Sequence, residues 1–169
     1  MPYGHFNRNR AFGVADTYPD ATQFITVLRD PFEMACSSYF FTRRAGRKWK
    51  DRSRVPQADL ATYLDTTPPN MLNRFPCVVT ETNYRAVMDA YFISIGITER
   101  LAESMARIAA ALGRGFVAPD LKRRNPTERD DADMDLGALR ARYRANHPLE
   151  FAVYDHARWM FEYQPAVQT

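Results

Sequence analysis

Two cysteines, Cys36 and Cys77, are too few in 169 residues to staple a disulfide-rich domain. Three histidines as far apart as His5, His147 and His156 give no spacing at which imidazoles converge on a metal, so no structural metal is expected. No run of about 18 apolar residues exists, and Met1 to His5 lacks the basic-then-apolar order of a secretory leader; neither a membrane span nor a signal peptide is expected. For the chain as it stands, the expected compartment is a prokaryotic cytoplasm. Lysine is scarce too: only Lys48, Lys50 and Lys122 among 23 basic residues, the rest being arginine. That skew suits forked contacts to phosphate, sulfate or carboxylate, and it also fits a GC-rich coding bias.

What is present suffices for one globular domain over residues 1–169. With 46% hydrophobic and 25% charged residues, such a chain buries around two thirds of its unfolded surface, which excludes a disordered or collagen-like protein. The net charge of +3 conceals an asymmetry. Arg43, Arg44, Arg47, Lys48, Lys50, Arg52 and Arg54 face one acid, Asp51, so this stretch carries +6 and the remainder −3.

The run Gln23 to Leu28 is β-rich and continuously apolar from Phe24 except at Thr26, the pattern of an internal parallel strand covered on both faces. Arg29 follows, then Asp30, Pro31 and Glu33: a capping acid, proline at the first helical position and an acid three residues after the cap. A helix is expected from Pro31 to about Phe41. Residues 43–79, interrupted by Pro68, Pro69 and Pro76, read as a basic surface excursion holding a short helix from Ala58 to Leu64. A second unit comprises a helix over Asn83 to Ala90, a strand over Tyr91 to Ile95, a turn at Gly96 and a helix opening at Thr98. That helix sets Leu101, Met105, Ile108 and Leu112 on one face and stops at Gly113. Helices from Leu136 to about Arg144 and from Pro148 to Tyr163 complete an α/β fold, a parallel sheet flanked by helices.

In open α/β sheets, ligands sit beyond the carboxyl ends of the strands, where helix N-termini offer unbonded N–H groups to anions. Arg29 stands at that place and Ser37 lies eight residues on, so a cationic fork and a hydroxyl come from one strand-turn-helix unit. A phosphate monoester is one natural guest. The alternative is that Arg29 pairs with an acid at the edge of the core and Ser37 is a small packing residue.

The segment Ile25 to Phe40 (ITVLRDPFEMACSSYF) resembles the 3′-phosphate-binding strand-turn-helix of sulfotransferases that use 3′-phosphoadenosine 5′-phosphosulfate. Tyr3 to Phe6 (YGHF), Tyr91 to Leu101 (YFISIGITERL), Leu121 to Thr127 (LKRRNPT) and Glu150 to Tyr154 (EFAVY) extend the likeness in the order found in carbohydrate sulfotransferases of the heparan sulfate 2-O type. The resemblance implies that Arg29 and Ser37 hold the 3′-phosphate, that Arg123, Arg124 and Thr127 close over the nucleotide, and that His5 is the base that deprotonates the acceptor hydroxyl. A histidine with a pKa near 6.5 is suited to that task at neutral pH. It further implies sulfuryl transfer to a carbohydrate hydroxyl without a metal, with an anionic carbohydrate as acceptor. The basic stretch from Arg43 to Arg54 would steer such a polymer, and Trp49 would stack on sugar or anchor the segment.

The same resemblance implies a glycine-rich loop with a lysine and a serine or threonine, cradling the 5′-phosphosulfate. None of the seven glycines sits in such a loop, so the expectation is a P-loop-NTPase-like sulfotransferase fold that is N-terminally incomplete, from a truncated chain or a degenerate member. Self-association through an uncovered strand edge would follow. A catalytically inactive nucleotide- or polyanion-binding domain is the alternative function. A nucleic-acid-binding module built on Arg43 to Arg54 ranks below both, since interleaved aromatics are sparse and no reading helix accompanies it.

Overall fold

The computed structural model describes residues 6–48, 50–53, 55–117 and 134–163. A 3-10 turn, Arg8–Arg10, and the four-residue helix α1, Val14–Thr17, lead into strand β1, Phe24–Leu28. Beyond β1 the local chemistry acts as its residue types dictate. Asp30 caps the next helix, its Oδ1 accepting from the Glu33 amide at 3.0 Å, and Pro31 takes the first helical position.

That helix, α2, spans Pro31–Gly46 and so runs five residues past Phe41. No glycine or proline interrupts it before Gly46, and Arg43 and Arg44 lie in its last turn, where positive charge complements the helix dipole. Arg43 is further held by donating to the Tyr39 hydroxyl while lying 5.3 Å from that ring. The basic stretch therefore begins inside a helix.

Residues 43–79 are not simply a surface excursion. Helix α3, Leu60–Thr66, is capped by Asp59, whose Oδ1 accepts from Thr62 at 2.7 Å. Its Leu60 and Leu64 are buried with Phe32, Cys36, Tyr39, Tyr143 and Phe151. Further on, a 3-10 turn at Leu72–Arg74 is flanked by Met71, Phe75 and Val79, all buried against the sheet. Prolines 68, 69 and 76 end regular structure there without ending burial.

Helix α4, Tyr84–Tyr91, leads directly into strand β2, Phe92–Ile97. The two strands are parallel, pairing Ile25 with Ser94, Thr26 with Ile95, Val27 with Gly96 and Leu28 with Ile97, with an irregularity between Phe24 and Ile25. Gly96 is thus a strand residue and not a turn. Among the described residues β1 pairs with β2 alone, and Phe24 to Val27 are half-buried, less than the cover on both faces that their composition predicts.

A 3-10 turn, Thr98–Arg100, opens helix α5, Leu101–Ala111. Its inward face agrees with the apolar face expected at Ile108, which is buried, but Ser104 is buried beside it while Leu101 and Met105 are exposed by 38% and 36%. Ser104 determines this rotation, since its hydroxyl accepts from the Ile97 amide and donates to the Ile97 carbonyl, both at 2.9 Å. Gly113, at φ +62°, terminates the helix as its sequence position indicates.

Helices α6, Leu136–Asn146, and α7, Pro148–Tyr163, follow. In α7, Val153, Ala157, Met160 and Phe161 are buried and Leu149 packs partly buried beside them, as periodicity predicts. Leu28, Ile95 and Ile97 join that cluster, together with Val87 and Met88 of α4. Because side chains alternate along a strand, Val27 and Gly96 face the other way, toward Ser104 of α5. The result is an α/β arrangement with a two-stranded parallel sheet, α5 on one face and α4 with α7 on the other. No helix among the described residues is long and apolar enough to cross a membrane.

Candidate functional site at the carboxyl ends of the strands

The parallel register brings the residues after Leu28 beside those after Ile97. The Thr98 hydroxyl donates to the Leu28 carbonyl at 3.0 Å, and the Asp30 amide donates to Glu99 Oε1 at 3.2 Å. The two strand exits are therefore stitched together by one hydroxyl and one carboxylate. Tyr154 of α7 reaches the same place and hydrogen-bonds to Glu99; burial first, and that bond second, push its phenol pKa up.

Asp30 is the pivot. It is 6% exposed and serves α2 as its cap while receiving a forked contact from Arg140 of α6, Nη1 to Oδ1 at 3.0 Å and Nη2 to Oδ2. Arg140 lies over the rings of Phe32 and Phe151, at 5.6 and 5.9 Å from their centroids. The Asp30 carboxylate raises the Arg140 pKa, opposed by partial burial.

Arg29 points along the outside of the same turn. Its Nη2 is 3.9 Å from Glu33 Oε2, with both side chains about one third exposed. Ser37, half-buried, sits one turn beyond Glu33, so Arg29, Glu33 and Ser37 follow one another along one side of the unit. The structure thus brings Arg29 and Ser37 to one side of α2, with a carboxylate between them. An exposed ion pair at this separation is worth about 0.2–1 kcal/mol, whereas hydrogen bonds to a doubly charged phosphate are each worth about 1.5–3 kcal/mol.

His5, Arg123, Arg124 and Thr127 lie outside the described residues, as do Trp49 and Arg54. The described part of the basic stretch, including Arg47, Lys48, Lys50 and Arg52, is exposed and stands at the far end of α2 from Arg29. At 1.5 Å per residue, that separation is about 20 Å. His147 and His156 are packing residues. Burial lowers both pKa values; His147 sits against the Tyr143 ring, and His156 lies between Tyr84 and Trp159.

Sequence reasoning gives no role to Arg140 or Tyr154, although Tyr154 closes the segment Glu150 to Tyr154 that carries part of the resemblance. Thr98 and Glu99 carry a signal, the glycine-x-threonine-glutamate order after an apolar run, but Arg140 stands 110 residues from the carboxylate it grips. Among the described residues no three His, Cys, Asp or Glu side chains are grouped to hold a metal ion. No family model matches this chain, and no curated protein or solved structure matches it.

Proposed function

We propose that this is a sulfotransferase-like protein that binds 3′-phosphoadenosine 5′-phosphosulfate and passes its sulfuryl group to a carbohydrate hydroxyl. The observation that carries the reading is the placement of Arg29 and Ser37 on one side of a strand-turn-helix unit, at the carboxyl end of a parallel strand. With Arg29 and Ser37 gripping the 3′-phosphate, the nucleotide extends over the strand exits toward Thr98 and Glu99. In the reaction the acceptor oxygen attacks sulfur and the bond from sulfur to the 5′-phosphate oxygen breaks. Adenosine 3′,5′-bisphosphate leaves, and the acceptor proton passes to His5, the base implied by the resemblance. Arg123, Arg124 and Thr127 take the role of closing over the nucleotide, within a fold of the P-loop-NTPase-like sulfotransferase kind. The basic end of α2, about 20 Å from Arg29, suits an extended anionic acceptor chain better than a monosaccharide.

A specific observation favours a second reading, a binding domain without turnover. Gly13, the described glycine nearest before β1, stands at the N-cap of the short helix α1 with its amide donating to Asp16 Oδ2 at 2.8 Å, so that amide is not open to a phosphate.

Calorimetric titration with adenosine 3′,5′-bisphosphate and with adenosine 5′-monophosphate tests the shared premise. A marked preference for the bisphosphate supports both readings, and equal or absent binding contradicts both. A labelled-donor assay with a polyanionic glycan then separates them.

A further inference from the structure

We propose that Arg140 is a positioning residue for the nucleotide, fixing through Asp30 the turn that aims Arg29 and Ser37 at the 3′-phosphate; the inference rests on the reading of that turn given above. A helix cap needs one side-chain oxygen, and Asp30 Oδ1 fulfils it by accepting from Glu33. The rest of Asp30 is committed elsewhere. Its two carboxylate oxygens receive the fork of Arg140, and its amide donates to Glu99. The cap sets where α2 begins, whereas the contacts to Arg140 and Glu99 set which way the turn faces relative to α6 and β2.

Arg140 does not itself reach for the ligand. Both terminal nitrogens are used by Asp30, and the guanidinium is held over Phe32 and Phe151. The planar fork matters here, because an ammonium cannot reproduce two parallel bonds to one carboxylate. Arg140 also cancels a charge. Asp30 is the immediate neighbour of Arg29, and an unopposed carboxylate there would repel the phosphate that Arg29 attracts. Direction of the turn and sign of the local field thus depend on the same side chain, 110 residues away in the chain.

The test uses the full chain and two probes, adenosine 3′,5′-bisphosphate and adenosine 5′-monophosphate, titrated into the native protein and its variants with helical content checked by circular dichroism. Arg140→Met is expected to lose about tenfold in bisphosphate affinity, the scale of one hydrogen bond to a charged group, with monophosphate affinity changed by less than about twofold. Arg140→Lys, which keeps the charge and not the fork, is expected to recover part of the loss. Removing the partner of a buried carboxylate can unfold a protein, so Asp30→Asn/Arg140→Met provides the control: the amide keeps the cap and leaves no orphaned charge. This double variant is expected to fold and still to discriminate poorly between the two nucleotides. Native-like discrimination in the double variant, or equal loss for both probes in Arg140→Met, would overturn the proposal. A native protein that does not distinguish the probes overturns the underlying site instead, whatever Arg140 does.

Discussion

Gly96 and Ser104 occupy each other's space: a Cβ on Gly96 would lie 2.6 Å from Ser104 Cβ and 2.9 Å from its hydroxyl oxygen. The missing side chain lets α5 approach the end of β2, where the Ser104 hydroxyl bonds both the amide and the carbonyl of Ile97. That contact holds the strand exit from which Thr98 and Glu99 emerge.

Gly96→Ala should therefore be costly although both residues are small. The added methyl also comes within 3.3 Å of Val27 Cγ2, so it is wedged between the helix and the neighbouring strand. Overpacking of this kind typically destabilises by about 1–3 kcal/mol. Urea unfolding of the variant should show a lower midpoint with an unchanged slope; a midpoint equal to that of the native protein would contradict the close approach.

The contrast between Asp30 and Gly96 indicates which parts of the fold were legible. Asp30, Pro31 and Glu33 announce a helix start because capping is local, and Pro148 and the apolar spacing of α7 mark that helix end to end. Gly96 reads as a turn in the sequence because the reason for its missing side chain, Ser104, lies in the next element. Leu101 and Met105 looked buried for the same reason, since apolar periodicity cannot foresee a serine bound to strand backbone taking the inward position. In the site, the spacing of Arg29 and Ser37 was visible, but Glu33 registered only as a helix-start acid and not as a partner of Arg29. Arg140 had no local signal at all. Residues 43–79 read as surface from their prolines, yet proline breaks hydrogen-bond ladders without preventing Leu60, Leu64, Met71, Phe75 and Val79 from being buried.

Glu150 should make stability fall as pH rises from about 4.5 to about 7, against a smaller rise through about 6.5 from His147 and His156, whose pKa values burial lowers. Glu150 is 5% exposed; its Oε1 accepts from the Leu72 amide at 3.4 Å while Oε2 has no partner, and burial raises its pKa to about 7 against the relief given by Leu72, Arg74 and Met71. A carboxyl whose pKa is raised by folding binds more protons folded than unfolded in that window, so deprotonation disfavours the fold until the folded pKa is passed. The loss is on the order of 2–3 kcal/mol at the upper end. Glu150→Gln, which keeps the acceptor for Leu72, should flatten the profile and gain stability at pH 8. Thermal unfolding between pH 4.5 and 8 reads this directly, and parallel profiles for the two proteins would remove Glu150 as the cause.

Glu33→Gln should tighten binding of adenosine 3′,5′-bisphosphate by roughly 1.4- to fivefold, because the Arg29 guanidinium no longer leaves a carboxylate to reach phosphate and the exposed pair is worth only about 0.2–1 kcal/mol. The variant should also lose a few tenths of a kcal/mol in stability, since Glu33 complements the N-terminus of α2. Weaker binding would show that Glu33 holds Arg29 in its working position instead of competing for it.

The most direct test of the central claim is calorimetric titration of adenosine 3′,5′-bisphosphate into the native protein, Arg29→Ala and Ser37→Ala. Arg29→Ala should lose about 1.5–3 kcal/mol, which is roughly 10- to 150-fold in affinity, and Ser37→Ala a smaller amount, while adenosine 5′-monophosphate binds all three proteins alike. Unchanged bisphosphate affinity in Arg29→Ala, with helical circular dichroism intact, would contradict the account.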